Sequence, residues 1–140
     1  MGNLIFKKKS LLNKIAQKHA LELILLFGSR VVQKTHQESD FDIAYLSKRE
    51  LGGKEEIELN CGLMPIFKSD KIDLVNLRKA NPLLRYEISK NCQLLCGKKE
   101  DLFEFKAFAF KDYINHLPLF ELEHFLIKKR QKLLAKSLYG

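Results

Sequence analysis

Leu25-Leu26-Phe27-Gly28-Ser29-Arg30-Val31-Val32-Gln33-Lys34-Thr35-His36-Gln37-Glu38-Ser39-Asp40-Phe41-Asp42-Ile43-Ala44-Tyr45-Leu46 is the stretch whose reading decides how this chain folds. The apolar residues 21–27 predict a central strand, and Gly28-Ser29 a turn. A short helix over residues 31–35 and a polar loop over 36–39 follow, and a second strand opens with Asp40 and Asp42. His36 in that loop is expected to be a solvated side chain rather than a catalytic one.

Successive side chains of an extended chain point to opposite faces, so Asp40 and Asp42 share one face while Phe41, Ile43 and Tyr45 take the other. Two carboxylates held together beside an apolar layer raise each other's pKa or recruit a cation. Mg²⁺ is the hard cation that carboxylates and phosphates share. Gly28 allows a tight turn and a close backbone approach, the helix after it aims free N–H groups at an anion, and Ser29 adds a hydroxyl. These parts together make a site for a nucleoside triphosphate and its metal.

The segment resembles the Gly-Ser-x10-Asp-x-Asp signature of the minimal nucleotidyltransferases, small members of the DNA polymerase beta superfamily, and in particular the antitoxins paired with HEPN-domain toxins. The resemblance continues through Lys71-Ile-Asp-Leu-Val-Asn-Leu-Arg78 and Asn81-Pro-Leu-Leu-Arg85 to Leu94-Leu95, covering residues 11–98. It departs at Gln33, where family members usually carry a Gly. The resemblance implies an α+β, polymerase-beta-type core with a mixed central sheet over residues 1–98. Residues 99–140 then form a C-terminal helical extension packed on it as part of one domain.

It further implies metal-dependent nucleotidyl transfer at a two-metal Mg²⁺ centre. Asp40, Asp42 and Asp73 would be the metal-binding and catalytic residues, and Gly28, Ser29 and Arg30 would hold the nucleotide. ATP would be the donor, and the acceptor a tyrosine hydroxyl of a HEPN RNase toxin, silenced by AMP. The rival readings are an aminoglycoside-type nucleotidyltransferase using the same site and an antitoxin that neutralises by binding alone.

Composition sets the outer bounds. At 140 residues and 46% hydrophobic, with ten Phe, the chain suits one domain with a proper core. Its formal charge of +8 favours an anionic partner, although much of the excess lies in Lys7–Lys9 and residues 128–136, where solvated charge is the plain explanation. A nucleic-acid contact is disfavoured because the aromatics spread like helix core instead of clustering with Lys and Arg on a strand face. Cys61, Cys92 and Cys96 form an odd set without a secretory leader, so free thiols, core packing rather than zinc, and a cytoplasmic protein are expected. No apolar run reaches membrane-spanning length.

Elsewhere, Ser10 reads as the N-cap of a first helix ending near His19, which covers the sheet. Residues 55–64 read as a helix stopped by Pro65, with Glu55, Glu56 and Glu58 in a solvated first turn. Residues 71–77 alternate as a third strand in which Asp73 sits between Ile72 and Leu74, a costly place for an unpaired carboxylate. Asn81-Pro82 opens another helix, flanked by Arg78 and Arg85 as surface arginines, and residues 93–96 form a final strand. From Glu100 on, Phe103, Ala107, Phe110, Ile114 and Leu117 make an apolar stripe. Pro118 interrupts it, and Leu119, Leu122 and Leu126 continue on a second helix. Such a stripe ordinarily packs on its own domain; the competing reading is a docking face for a partner helix.

Overall fold

A computed structural model describes residues 2–28 and 40–139. The elements run α1 (Gly2–His19), β1 (Leu21–Phe27), β2 (Phe41–Ser47), α2 (Gly53–Phe67), β3 (Ile72–Asn76), α3 (Pro82–Lys90), β4 (Cys92–Cys96) and α4 (Lys99–Tyr139). The four strands form one mixed sheet in the order β3-β2-β1-β4, with β1 antiparallel to both neighbours and β2 parallel to β3.

Strand alternation divides the core. Ile24, Ile43 and Tyr45 face Leu12 and Ala16 of α1 and Leu59, Leu63 and Ile66 of α2. Leu23, Leu25 and Ala44 face Ile88 of α3 and Phe105 and Ala109 of α4. β1 feeds both layers, and its Leu23 and Leu25 are fully buried. That is why it reads as an unbroken apolar run.

Helix ends obey local chemistry in some places and override it in others. At α3 the expected cap forms, Asn81 Oδ1 accepting from the Leu84 amide at 2.8 Å with Pro82 next in the chain. Ser10, expected to start α1, instead lies inside a helix that begins eight residues earlier at Gly2.

Neither Pro65 nor Pro118 ends its helix. α2 runs on to Phe67, and α4 is continuous for 41 residues. A proline deprives only the carbonyl four residues back, here Cys61 and Ile114. Both residues are exposed, so water can take the orphaned acceptor. At α2 the extra turn is also stabilised by packing, since Ile66 is buried and the Phe67 ring lies 5.0 Å from that of Phe41.

The stripe on α4 is not where spacing placed it. Phe105 and Ala109 are buried, whereas Phe103 and Phe110 remain 66% and 54% exposed. Both arcs have helical spacing, and the choice between them is tertiary. Arg85 Nη1 of α3 donates to Asp112 Oδ2 at 2.8 Å, and the Tyr86 and Tyr113 rings stack at 4.2 Å, fixing which side of α4 faces inward.

Candidate active site

The ladder registers bring the acids together. Phe27 lies opposite Asp42, and Asp42 opposite Asp73 on the parallel neighbour. The β2–β3 ladder is closed at this end by the Phe41 amide donating to the Lys71 carbonyl at 2.9 Å. Register partners share a face, so both carboxylates project on the side that Ala44 and Val75, two residues further on, give to the α3/α4 core. At this end the sheet has run out of helix cover, and the alternation that buries Ala44 leaves Asp42 half-buried and Asp73 exposed. Asp40 stands just before β2, exposed.

Their proximity carries an electrostatic consequence. The Asp42 carboxyl is raised above its ordinary 3.8, first by burial and then by the charges of Asp73 and Asp40. Among the described residues no hydrogen bond or ion pair relieves it. Such an arrangement stores repulsion that a cation would release.

Gly28 completes the geometry. It follows β1 at φ +80°, and a Cβ there would fall 2.1 Å from Asp42 Oδ2. The glycine is therefore required twice, by its left-handed backbone and by the carboxylate that occupies its side-chain space. Ser29 and Arg30, the other expected nucleotide contacts, lie outside the described residues, as do Gln33 and His36.

Among the described residues no group of three or more His, Cys, Asp or Glu side chains forms a metal cage by itself. Mg²⁺ is ordinarily held by one or two carboxylates together with substrate phosphates and water. An all-oxygen donor set in mutual repulsion fits that ion, whereas it does not fit zinc. Cys92 and Cys96 cannot supply a zinc site together, since Cys96 belongs to the α1/α2 core and Cys92 packs on the other side. Cys96 Sγ donates to Asn13 Oδ1 at 3.0 Å.

The remaining polar expectations sort into structural roles. Glu55 and Glu56 are not a freely solvated first turn. Glu55 accepts from Arg49 at 2.6 and 2.7 Å and sits 3.0 Å from Nδ1 of the buried His19, while the Tyr45 hydroxyl donates to Glu56 at 2.5 Å. The Arg49 and His19 bonds hold the Glu55 carboxyl down at about 2. Burial, helped by Glu56, pushes the Tyr45 hydroxyl well up.

Arg85 is no surface arginine. Besides Asp112 it donates to the carbonyls of Leu77, Arg78 and Ala80, clamping the β3–α3 connection. Arg78 is exposed as expected.

One residue the sequence did not single out reaches the acid end of the sheet. α3 finishes at Lys90, two residues before Cys92, which pairs with Phe27 opposite Asp42. Lys90 Nζ lies 3.3 Å from Glu87 and 4.8 Å above the Tyr86 ring. Only the β1–β4 pairing, a long-range contact, reveals this placement. By contrast, two cavities of about 510 and 520 Å³ open at the other end of the sheet, around Glu22, Leu77 and Phe105 and around Asn13 and Gly97.

Known proteins similar to this chain share one family. A curated relative, the protein adenylyltransferase MntA of Shewanella oneidensis, is 34% identical over 97 residues, spanning 68% of this chain and 69% of that protein. Among solved structures, a chain of a toxin–antitoxin complex with AMP-PNP is similar with a TM-score of 0.63 and 26% identity, over 93% of this chain and 98% of the other. A chain of the MntA–HepT toxin–antitoxin complex matches with a TM-score of 0.57 and 25% identity, over 94% and 97%. The family model described as polymerase beta nucleotidyltransferase matches residues 9–101, well over half of the sequence, and this chain belongs to that family.

Proposed function

We propose that this chain is a protein adenylyltransferase and antitoxin, moving AMP from ATP to a tyrosine hydroxyl of a HEPN toxin in the cytoplasm. The observation that carries the reading is the convergence of Asp40, Asp42 and Asp73 from neighbouring strands beside Gly28, in a chain of this family. Residues 1–98 would form the catalytic unit, and α4 an extension whose first half packs on it through Phe105, Ala109 and Tyr113. A solved relative with AMP-PNP supports ATP as the donor, and the MntA–HepT complex supports a toxin as the acceptor.

Asp40 and Asp42 would hold Mg²⁺ against the triphosphate, and Asp73 would complete a second metal position. The ions would neutralise charge on the attacking and leaving oxygens of an in-line displacement. Within the chain, Gly28 admits the phosphates close to the backbone, with Ser29 and Arg30 as their further contacts. Asp73, exposed like Asp40, would accept the proton of the acceptor hydroxyl. The acceptor oxygen bonds to the α-phosphorus, the α–β phosphoanhydride bond breaks, and pyrophosphate leaves.

ATP labelled at the α- or the γ-phosphate tests the chemistry. Incubation of this chain, Mg²⁺ and a HEPN toxin should label the toxin from the α position alone. Label from the γ position would make the enzyme a kinase. A complex with no label from either would favour neutralisation by binding.

A further inference from the structure

Among the described residues, α4 from Glu121 on is exposed and touches no other element, and its position relative to the acids is specific. α4 begins at the end of the sheet remote from them. Gly97, just before it, approaches Glu22 so closely that a Cβ would lie 2.5 Å from the Glu22 carbonyl. From there α4 runs beside α3 in the same direction, through Asp112 against Arg85 and Tyr113 against Tyr86, while α3 heads for Lys90 at the acid end. The final ring contacts link Phe120 to Tyr113 and His116 on α4 itself. Residues 121–138 are exposed throughout. At 1.5 Å per residue they project about 27 Å past the sheet on the side where the carboxylates stand.

The overhang is two-faced. Leu119, Leu122, Leu126 and Leu133, flanked by Ile127 and Leu134, recur at helical spacing on one side, and each is between 49% and 61% exposed. Lys128, Lys132 and Lys136 recur every four residues on the opposite side, which Phe125 shares, while Lys129, seven residues after Leu122 and four before Leu133, borders the apolar side. Against five basic residues the segment carries only Glu121 and Glu123, so two copies laid together would repel. Glu123 and Arg130 interrupt the apolar side by helical spacing. In a lipid interface they would be buried charges, whereas a shaped protein surface can pair them one by one.

We propose that residues 119–138 are the docking arm for the protein acceptor, fitting an apolar groove with acidic margins and presenting the acceptor's hydroxyl to the Asp40, Asp42 and Asp73 end of the sheet. The proposal rests on the adenylyltransferase reading for the identity of its partner. It explains why an arm that adds nothing to the core starts where the acids end.

Two variants and a control test it, using full-length protein with a co-expressed HEPN toxin. Leu126→Asp with Leu133→Asp changes only exposed positions, so thermal melting and the melting shift given by ATP with Mg²⁺ should stay as in the wild type. The dissociation constant for the toxin should rise at least about a hundredfold, and kcat/KM for AMP transfer should fall in parallel. Lys128→Glu with Lys132→Glu should weaken binding about tenfold and flatten its salt dependence.

Toxin affinity within twofold of wild type in both variants would overturn the proposal. So would loss of binding to vesicles of anionic phospholipid with toxin affinity unchanged. Asp42→Asn separates the arm from the active-site reading: normal toxin binding without transfer upholds both, whereas normal transfer by Asp42→Asn would sink the site assignment and leave the arm standing.

Discussion

Two acidic clusters lie toward opposite ends of β2 and have opposite electrostatic fates. Glu55 and Glu56, at the start of α2, meet Arg49, His19 and the Tyr45 hydroxyl, and Glu55 is held at about 2. Asp40, Asp42 and Asp73, where β2 and β3 begin, meet one another, and Asp42 is driven up. The first cluster joins α1, the β2–α2 connection and α2, so its charges serve folding. The second gains nothing from its own arrangement, and its repulsion becomes useful when a cation and a polyphosphate arrive. The difference separates acids that hold the fold from acids that the proposed transfer would use.

The comparison breaks most visibly at Asp42. Asp42→Asn should lower kcat for AMP transfer at least about a thousandfold, equivalent to about 4 kcal/mol of transition-state stabilisation. It should also leave the metal-free protein as stable as wild type or more so, because a repelled charge is gone. Coupled steady-state kinetics and thermal melting check both halves, and a melting temperature well below wild type would mean that Asp42 is structural after all.

Gly28→Ala sharpens the same point by steric means. A methyl group placed 2.1 Å from Asp42 Oδ2 must displace the carboxylate or the turn. Transfer should drop by two or more orders of magnitude while the part of the sheet remote from the turn, followed by amide exchange of Ile24 and Tyr45, stays protected. Arg85→Met acts on folding alone. It leaves the Asp112 carboxylate without its guanidinium and three carbonyls without a donor, and should cost about 3 kcal/mol in urea unfolding with little change in KM for ATP.

The smallest effects are in pH, and their signs are opposite. Glu55 is lowered from 4.5 to about 2, so its contribution to stability is complete above pH 4.5 and is lost as the pH falls toward 2. Asp42 is raised, so the folded metal-free protein holds that proton more tightly than the unfolded chain does. Its contribution falls as pH climbs from the ordinary 3.8 through the raised value. Glu55→Gln should flatten the first slope and Asp42→Asn the second, both visible in melting curves across pH 2–7. Mg²⁺ with a nonhydrolysable ATP analogue should abolish the second slope only.

Local sequence carried much of the site. The Asp-x-Asp alternation, the apolar strand before Gly28 and the lone acid of Ile72-Asp73-Leu74 each follow from the two-residue strand period, and the parallel register then pairs Asp42 with Asp73. Features decided by long-range contacts were not legible. Arg85 looks like any arginine until α4 brings Asp112 to it, and the first turn of α2 looks solvated until His19 arrives from α1. Pro65 and Pro118 failed as stop signals because each costs one hydrogen bond whose acceptor water can reach. The buried arc of α4 was ambiguous because two arcs carry the same spacing, and contact with α3 chose between them.

The most direct test is the intact mass of a HEPN toxin after incubation with this chain, ATP and Mg²⁺. The account predicts gains in steps of one AMP, with pyrophosphate released in equal amount, and no gain with Asp40→Asn or Asp42→Asn although the complex still forms. An unmodified toxin in a stable, neutralised complex would contradict it, and the three aspartates would then have no catalytic role in neutralisation.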